Sequence, residues 1–225
     1  MKLYYHPAST SSRAVILFAT VAEIPLELVF VDMFAGETRS ADYLLVNASG
    51  LVPTLVDGEF RLSEASAILK YLAEKAGSPA YPADLQERAT VNEAMDWFLT
   101  QLAADFGKGF VYPLAAPERF CPTATLPVTL AWHVARSERW LDVLESGMLR
   151  GRPYVCGDQI TIADYLGASL VSLGELVDHD LAPWPAVSDW LRRIKADTQW
   201  DLVNAAFYGW RSALQEQRAS QAMVA

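Results

Sequence analysis

The sequence predicts a two-part chain, an α/β domain of order βαβαββα followed by an all-α domain. Three observations carry that prediction. Short apolar runs alternate with helix-like segments up to residue 78. The segment GSPAYPAD (77–84), with Gly77, Pro79 and Pro82, cannot continue a helix and reads as a linker. Beyond it the strand grammar disappears and only helical spacing remains.

The elements follow in order. KLYY (2–5) reads as a strand, and Arg13 to Val21 as a helix with Ala14, Leu17, Phe18 and Val21 on one face. LELVFVDM (26–33) is a second strand, in which Leu28 and Phe30 alternate with Val29 and Val31. A polar, helix-prone stretch, GETRSADYLLVN, comes next. VPTLVDGEFRLS then holds two short strands joined by Asp57-Gly58, a pair suited to a hairpin because both residue types tolerate positive φ. Ser63 is placed to cap a third helix, EASAILKYLAEKAG, which stops at Gly77. These elements make a parallel pair and an antiparallel hairpin in one small mixed sheet. The helical part reads QERATVNEAMDWFLTQLAADF, LAWHVARSERWLDVLES, TIADYLGASLVSLGELV, VSDWLRRIKAD and QWDLVNAAFYGWRSALQ, with a proline-containing loop at 111–127. Thr161 and Asp164 form a capping box with Ile160 and Tyr165 as its staple, so Asp164 is read as a folding cap rather than a catalytic acid or base. The LGASLVSLGEL that follows is apolar around most of its circumference and should be central to its domain.

Composition removes several functions. The 225 residues, 52% hydrophobic and 20% charged, suit a well-cored globular protein. Eighteen basic against 27 acidic residues give −9, and no basic run exceeds Arg192-Arg193. A phosphate backbone needs a basic face, so nucleic acid is excluded as a partner. MKLYYHPAST lacks the apolar core of a signal peptide, and no apolar stretch reaches the length of a membrane span. No membrane partner is expected, and the cytoplasm is the simplest compartment. Cys121 and Cys156 form no Cys-x-x-Cys, and His6, His133 and His179 are scattered, so neither a disulfide framework nor a metal site is expected.

No dinucleotide, Walker, nucleophile-elbow or zincin motif is present. Three loops remain. Ser9-Thr10-Ser11-Ser12 followed by Arg13 lies between the first strand and the first helix, at the carboxyl edge of the sheet where α/β folds bind ligands. The helix start favours an anion or thiolate, although the same hydroxyls also suffice to cap the helix and fill the turn. A cis bond at Val52-Pro53 would present the Val52 N–H and C=O to a ligand, whereas a trans bond there is an ordinary turn. Glu64 is either a first-turn acid favoured by the helix dipole or a partner for a ligand ammonium.

In this order, YYHPASTSSRAV, NASGLVPTLVDG, LSEASAILKYLAEK and DQITIADYLGASL resemble the motifs of cytosolic glutathione transferases over nearly the whole chain. Residues 1–78 resemble the thioredoxin-like, glutathione-binding domain of that family, and residues 85–225 its all-helical domain. The hydroxyl-type turn is most similar to the theta, delta and related bacterial classes. The resemblance implies a cytoplasmic homodimer that uses glutathione as co-substrate without a cofactor and conjugates it to a small apolar electrophile. It implies Ser9 as the catalytic hydroxyl donating to the glutathione sulfur, with Tyr5 and Ser11 as alternative activators. It further implies that Val52, beside cis-Pro53, pairs its backbone with the cysteinyl unit. Glu64, Ala65 and Ser66 would hold the γ-glutamyl end, and Arg39 would reach the glycyl carboxylate. Phe106 and Phe110, at i and i+4 beside Gly107 and Gly109, are expected to border the electrophile pocket.

The magnitudes suffice for a hydroxyl. Lowering a thiol pKa from about 8.5 to about 6.5 needs about 2.7 kcal/mol of thiolate stabilisation. A hydrogen bond to a charged sulfur supplies about 1.5–3 kcal/mol and a helix N-terminus a further 0.3–1 or so. Some residues depart from the family pattern. Ala65 stands where a serine is usual, which removes a hydroxyl donor at a cost of about 1.5–3 kcal/mol. Ala48 replaces a proline after Asn47, Thr38 and Gly50 replace residues that bind glutathione in some relatives, and Thr10 stands where the beta class has cysteine. Two alternatives remain. A zeta-like isomerase of maleylpyruvate or maleylacetoacetate would need cations in the cleft, with Arg13 and Lys108 as candidates, but the turn lacks that class's Cys and Trp. A non-catalytic binding or scaffold protein of the same fold is favoured by Ala65.

Overall fold

A computed structural model describes residues 1–117 and 126–224. Four strands, β1 (Lys2–Tyr5), β2 (Glu27–Phe30), β3 (Thr54–Asp57) and β4 (Phe60–Ser63), form one sheet in the order β2-β1-β3-β4. β1 is parallel to β2, with Leu3 opposite Leu28, and antiparallel to β3, with Leu3 opposite Leu55. The hairpin of β3 and β4 closes at Asp57 opposite Phe60, with Gly58 at φ 63°. Leu3 and Leu55 are completely buried, in one core with Ala14, Leu17 and Phe18 of α1 (Thr10–Val21) and Ile68, Leu69 and Leu72 of α3 (Ala65–Ala76). Between β2 and β3 lie a 3₁₀ turn (Glu37–Arg39) and α2 (Ala41–Val46), capped by Ser40 Oγ accepting the Tyr43 N–H at 3.2 Å.

Two of the boundaries that differ from those expected lie at the candidate site. α1 starts at Thr10 rather than Arg13, because Ser9 is its N-cap. Ser63 does not cap α3; it ends β4, and the helix follows Glu64, which sits at φ 68° with no side-chain acceptor for the first-turn N–H groups.

The remaining regular elements among the described residues are helices. α4 (Leu85–Trp97) is capped by Asp84, whose Oδ1 accepts the Gln86 and Glu87 N–H groups at 2.9 and 3.0 Å. It runs on through a π-helical stretch, Phe98–Val111, into a last turn, Tyr112–Ala115. The loop expected at 111–127 is therefore helical as far as Ala115, and its centre, 118–125, lies outside the described residues. There follow α5 (Leu126–Val143), α6 (Ile162–Val171), α7 (Pro185–Lys195) and α8 (Trp200–Val224). Every residue of α6 is buried, as its all-round apolarity predicts. Asp164 at its start accepts from the Thr161 N–H and Oγ1 at 2.7 and 2.9 Å, the Val155 N–H at 3.0 Å and Trp190 Nε1 at 2.9 Å. Burial pushes its pKa up against those donors, and all of its bonds are structural, so the capping role holds. Phe98 stacks on Trp190 at 6.3 Å and lies so close to Gly167 that a Cβ there would meet its ring at 2.3 Å.

Candidate active site

The turn between β1 and α1 is built around His6, which is buried. Its Nδ1 accepts the Ala8 N–H at 3.1 Å, its carbonyl accepts the Ser9 N–H at 3.0 Å, and its ring meets those of Phe30 and Phe34 at 5.4 and 4.9 Å. This fixes Ser9 at the head of α1, where Oγ accepts the Ser12 N–H at 3.3 Å. Accepting that bond uses a lone pair and leaves the hydroxyl proton to be donated outward. Capping and thiolate stabilisation are therefore compatible in one side chain.

Arg13, one turn further on, is completely buried and faces the other way. Its guanidinium donates to Asn204 Oδ1, to the Ser169 carbonyl at 3.1 Å and to Ser172 Oγ at 3.4 Å, and lies 3.9 Å from the centre of the Phe207 ring. Burial lowers its pKa to about 10, so it remains charged at neutral pH. Arg13 ties the first helix to α6 and α8. It is not a cleft cation, which corrects its candidacy for binding a dicarboxylate.

Two cavities flank Val52, whose bond to Pro53 is cis. They share Leu51, Val52 and Tyr112 as walls. The first, about 280 Å³, holds Ser9 and Arg39 and is otherwise walled mainly by Met33, Phe34 and Trp210. The second, about 390 Å³, covers the start of α3 and holds Ser11, Pro53, Glu64, Ala65 and Lys108. The Val52 loop is braced from behind: the Leu51 carbonyl accepts from the Tyr43 hydroxyl at 2.6 Å and Asn47 Nδ2 at 2.9 Å. Gly50 is required beside Arg39, since at φ 60° an added Cβ would lie 2.8 Å from the Thr38 carbonyl oxygen. Ser66 sits half-buried in the first turn of α3, while Tyr5 packs against the core and lines neither cavity.

Phe106 and Phe110 also line neither cavity. They are buried one layer behind, with their ring centres 5.7 Å apart and each 5.4 Å from that of His179. The cause is helical winding. The Tyr112 N–H bonds to the Gly107 carbonyl, an i→i−5 bond. Such a helix winds at about 4.4 residues per turn instead of about 3.6. Leu99, Ala103, Gly107, Lys108 and Tyr112 consequently share the cavity face, and the two phenylalanines turn inward. An i, i+4 argument cannot find Tyr112 this way; the glycines at 107 and 109 are the only local hint of irregularity. The Tyr112 hydroxyl bonds Thr10 Oγ1 at 2.8 Å, and burial raises its pKa against the opposing pull of that bond and of Arg13, so it stays protonated.

The sequence matches the family model of the glutathione S-transferase N-terminal domain over residues 1–74 and that of the C-terminal domain over residues 133–197. It is 34% identical to human glutathione S-transferase theta-1 over 215 residues, covering 92% of this chain and 87% of that one. The chain belongs to the glutathione S-transferase family. Human glutathione S-transferase theta-2 is 33% identical over 199 residues, 87% of this chain and 81% of the relative. Among solved structures, human glutathione transferase theta-2 in complex with glutathione and an unknown ligand superposes with a TM-score of 0.85 at 28% identity, covering 99% of this chain and 96% of that one. A delta-class glutathione transferase of Nilaparvata lugens gives 0.82 at 28% identity, with coverages of 95% and 99%. Among the described residues of this glutathione transferase, no helix is long and apolar enough to cross a membrane.

Proposed function

We infer that this chain conjugates glutathione to a small apolar electrophile, with Ser9 as the catalytic hydroxyl. One observation carries the reading: the Ser9 proton is left for donation at the head of α1, inside a cavity whose other wall is Met33, Phe34 and Trp210. The thiol loses its proton to solvent, the thiolate accepts a hydrogen bond from Ser9, and the sulfur attacks the electrophilic carbon. A leaving group then departs with the electron pair, or the electrons of an activated double bond take up a proton. The Val52 backbone beside cis-Pro53 holds the cysteinyl unit. Glu64 and the N–H groups of Ala65 and Ser66 hold the γ-glutamyl end, and Arg39 takes the glycyl carboxylate. Ser11 falls in the second cavity and Tyr5 in neither, which supports Ser9 over both.

The glutathione-binding domain comprises residues 1–78 and the helical domain residues 85–225. A cytoplasmic homodimer is the form proposed. The isomerase alternative loses Arg13 to the interior and, among the described residues, retains Lys108 alone as a cation in the second cavity. Calorimetry with millimolar glutathione, followed by conjugation assays on a panel of apolar electrophiles, tests the reading. Binding without turnover of any electrophile, or no binding, would favour a scaffold role instead.

A further inference from the structure

The second cavity has a charge pattern that the conjugation chemistry does not use. Of the described side chains that line it, Glu64 and Lys108 alone are charged, with opposite signs. Neither makes an ion pair among the described residues, and both are exposed. Glu64 belongs to the sheet domain and Lys108 to the helical one, on the face that π-helical winding turns toward the cavity. The same cavity meets Ala65 in the first turn of α3, whose N–H groups have no side-chain cap. Residue 65 is alanine and offers no hydroxyl there.

A site with one anion, one cation and a helix N-terminus complements a zwitterionic α-amino acid head. Resting on the glutathione reading above, we propose that Lys108 is a glutathione-binding residue. Its ammonium pairs with the α-carboxylate of the γ-glutamyl unit, in place of the hydroxyl missing at residue 65. Glu64 takes the α-ammonium of the same unit. Lys108 lines the cavity of Glu64 and Ala65, where the γ-glutamyl end is placed, and not the one walled by Met33, Phe34 and Trp210, so it meets that end of the tripeptide. Because the lysine comes from the helical domain, both domains grip one end of the peptide.

The test compares Lys108→Gln and Lys108→Arg with the unaltered chain by calorimetry. The peptides are glutathione, γ-aminobutyryl-cysteinyl-glycine, which lacks the α-carboxylate, and glutaryl-cysteinyl-glycine, which lacks the ammonium. Glutathione should bind Lys108→Gln about tenfold more weakly, with most of the affinity returning in Lys108→Arg. The carboxylate-free peptide should bind both the unaltered chain and Lys108→Gln equally. The ammonium-free peptide should remain sensitive to Lys108→Gln but not to Glu64→Gln. Equal weakening toward all three peptides, no weakening toward any, or an effect confined to the electrophile KM would overturn the proposal. Failure of the unaltered chain to bind glutathione would take down the underlying reading as well, and is distinguishable from binding that Lys108→Gln leaves intact.

Discussion

The donor role proposed for Ser9 and its N-cap role can be separated by substitution, because the two respond differently to alanine and glycine. As the proposed donor to a charged sulfur, Ser9 would contribute about 1.5–3 kcal/mol, which corresponds to roughly ten- to a hundredfold in thiolate formation at neutral pH. As an N-cap it accepts the Ser12 N–H at 3.3 Å, a long bond. A Ser→Ala change at such a cap costs about 1 kcal/mol, whereas Ser→Gly costs a few tenths or so. For a chain of this length, 1 kcal/mol is worth roughly 2–4 °C in Tm. Ser9→Ala should therefore lose about ten- to a hundredfold in kcat/KM and about 2–4 °C in Tm. Ser9→Gly should show the same kinetic loss with almost no thermal shift, and Ser9→Thr should keep much of both. The ultraviolet absorbance of the bound thiolate, followed against pH, measures the first effect directly, and thermal unfolding measures the second. If Ser9→Gly left the pKa of the bound thiol where it was, Ser9 would be a cap and nothing more. Attention would then move to Ser11, the hydroxyl facing the neighbouring cavity.

Three further outcomes follow from particular contacts. Trp210 lines the Ser9 cavity and meets Phe34 edge-on at 6.0 Å, so Trp210→Ala should raise the electrophile KM about tenfold and leave the glutathione Kd in place. Phe110→Ala should instead lower stability by about 3–5 kcal/mol, and steady-state kinetics showing the reverse pattern would refute the assignment of the wall. Asp105, 4% exposed, accepts from Trp140 Nε1 at 2.6 Å, His133 Nδ1 at 2.7 Å and Arg136 Nε at 2.9 Å. Burial alone would raise its pKa, but those donors outweigh it and hold the carboxyl below the ordinary 3.8. Its stabilisation is therefore complete above that value and is lost as pH falls through the folded pKa. Asp105→Asn should be less stable by about 1–3 kcal/mol at pH 7, with the difference narrowing below about pH 4 in pH-dependent melts; a gap constant down to acid pH would show that the charge contributes nothing. The Cys156 thiol, pushed up to about 11 by burial, is ionised to about one part in ten thousand at pH 7. Brief iodoacetamide treatment should leave it unlabelled until the chain unfolds, and rapid labelling of the native protein detected by peptide mass spectrometry would contradict its environment.

The parts that the sequence reading anticipates are those whose causes are local. Asp57-Gly58 closes a hairpin by its own φ preference, Thr161 and Asp164 cap a helix within four residues, and Gly77 in the left-handed region ends another. The start of α3 already resists this logic. Ser63 has the right chemistry for a cap, yet pairing with Thr54 across the sheet keeps it in β4, and the helix starts uncapped on Glu64. The wall of the active site is less local still. Which face of 98–111 meets the cavity depends on hydrogen-bond register, and within that stretch two residues are committed to α5. Asp105 gathers three donors from α5, and Gly109 lies where any Cβ would strike the His133 ring at 2.1 Å. With those two positions turned toward α5, Phe106 and Phe110 point at His179, while Lys108 and Tyr112 come round to the cavity beside Val52 and Glu64. An i, i+4 count pairs Phe106 with Phe110 on one face, but that face packs on His179 and lines neither of the two cavities. The residues that set the register, Asp105 and Gly109, are polar or small and carry no signal of their own until α5 is placed against them.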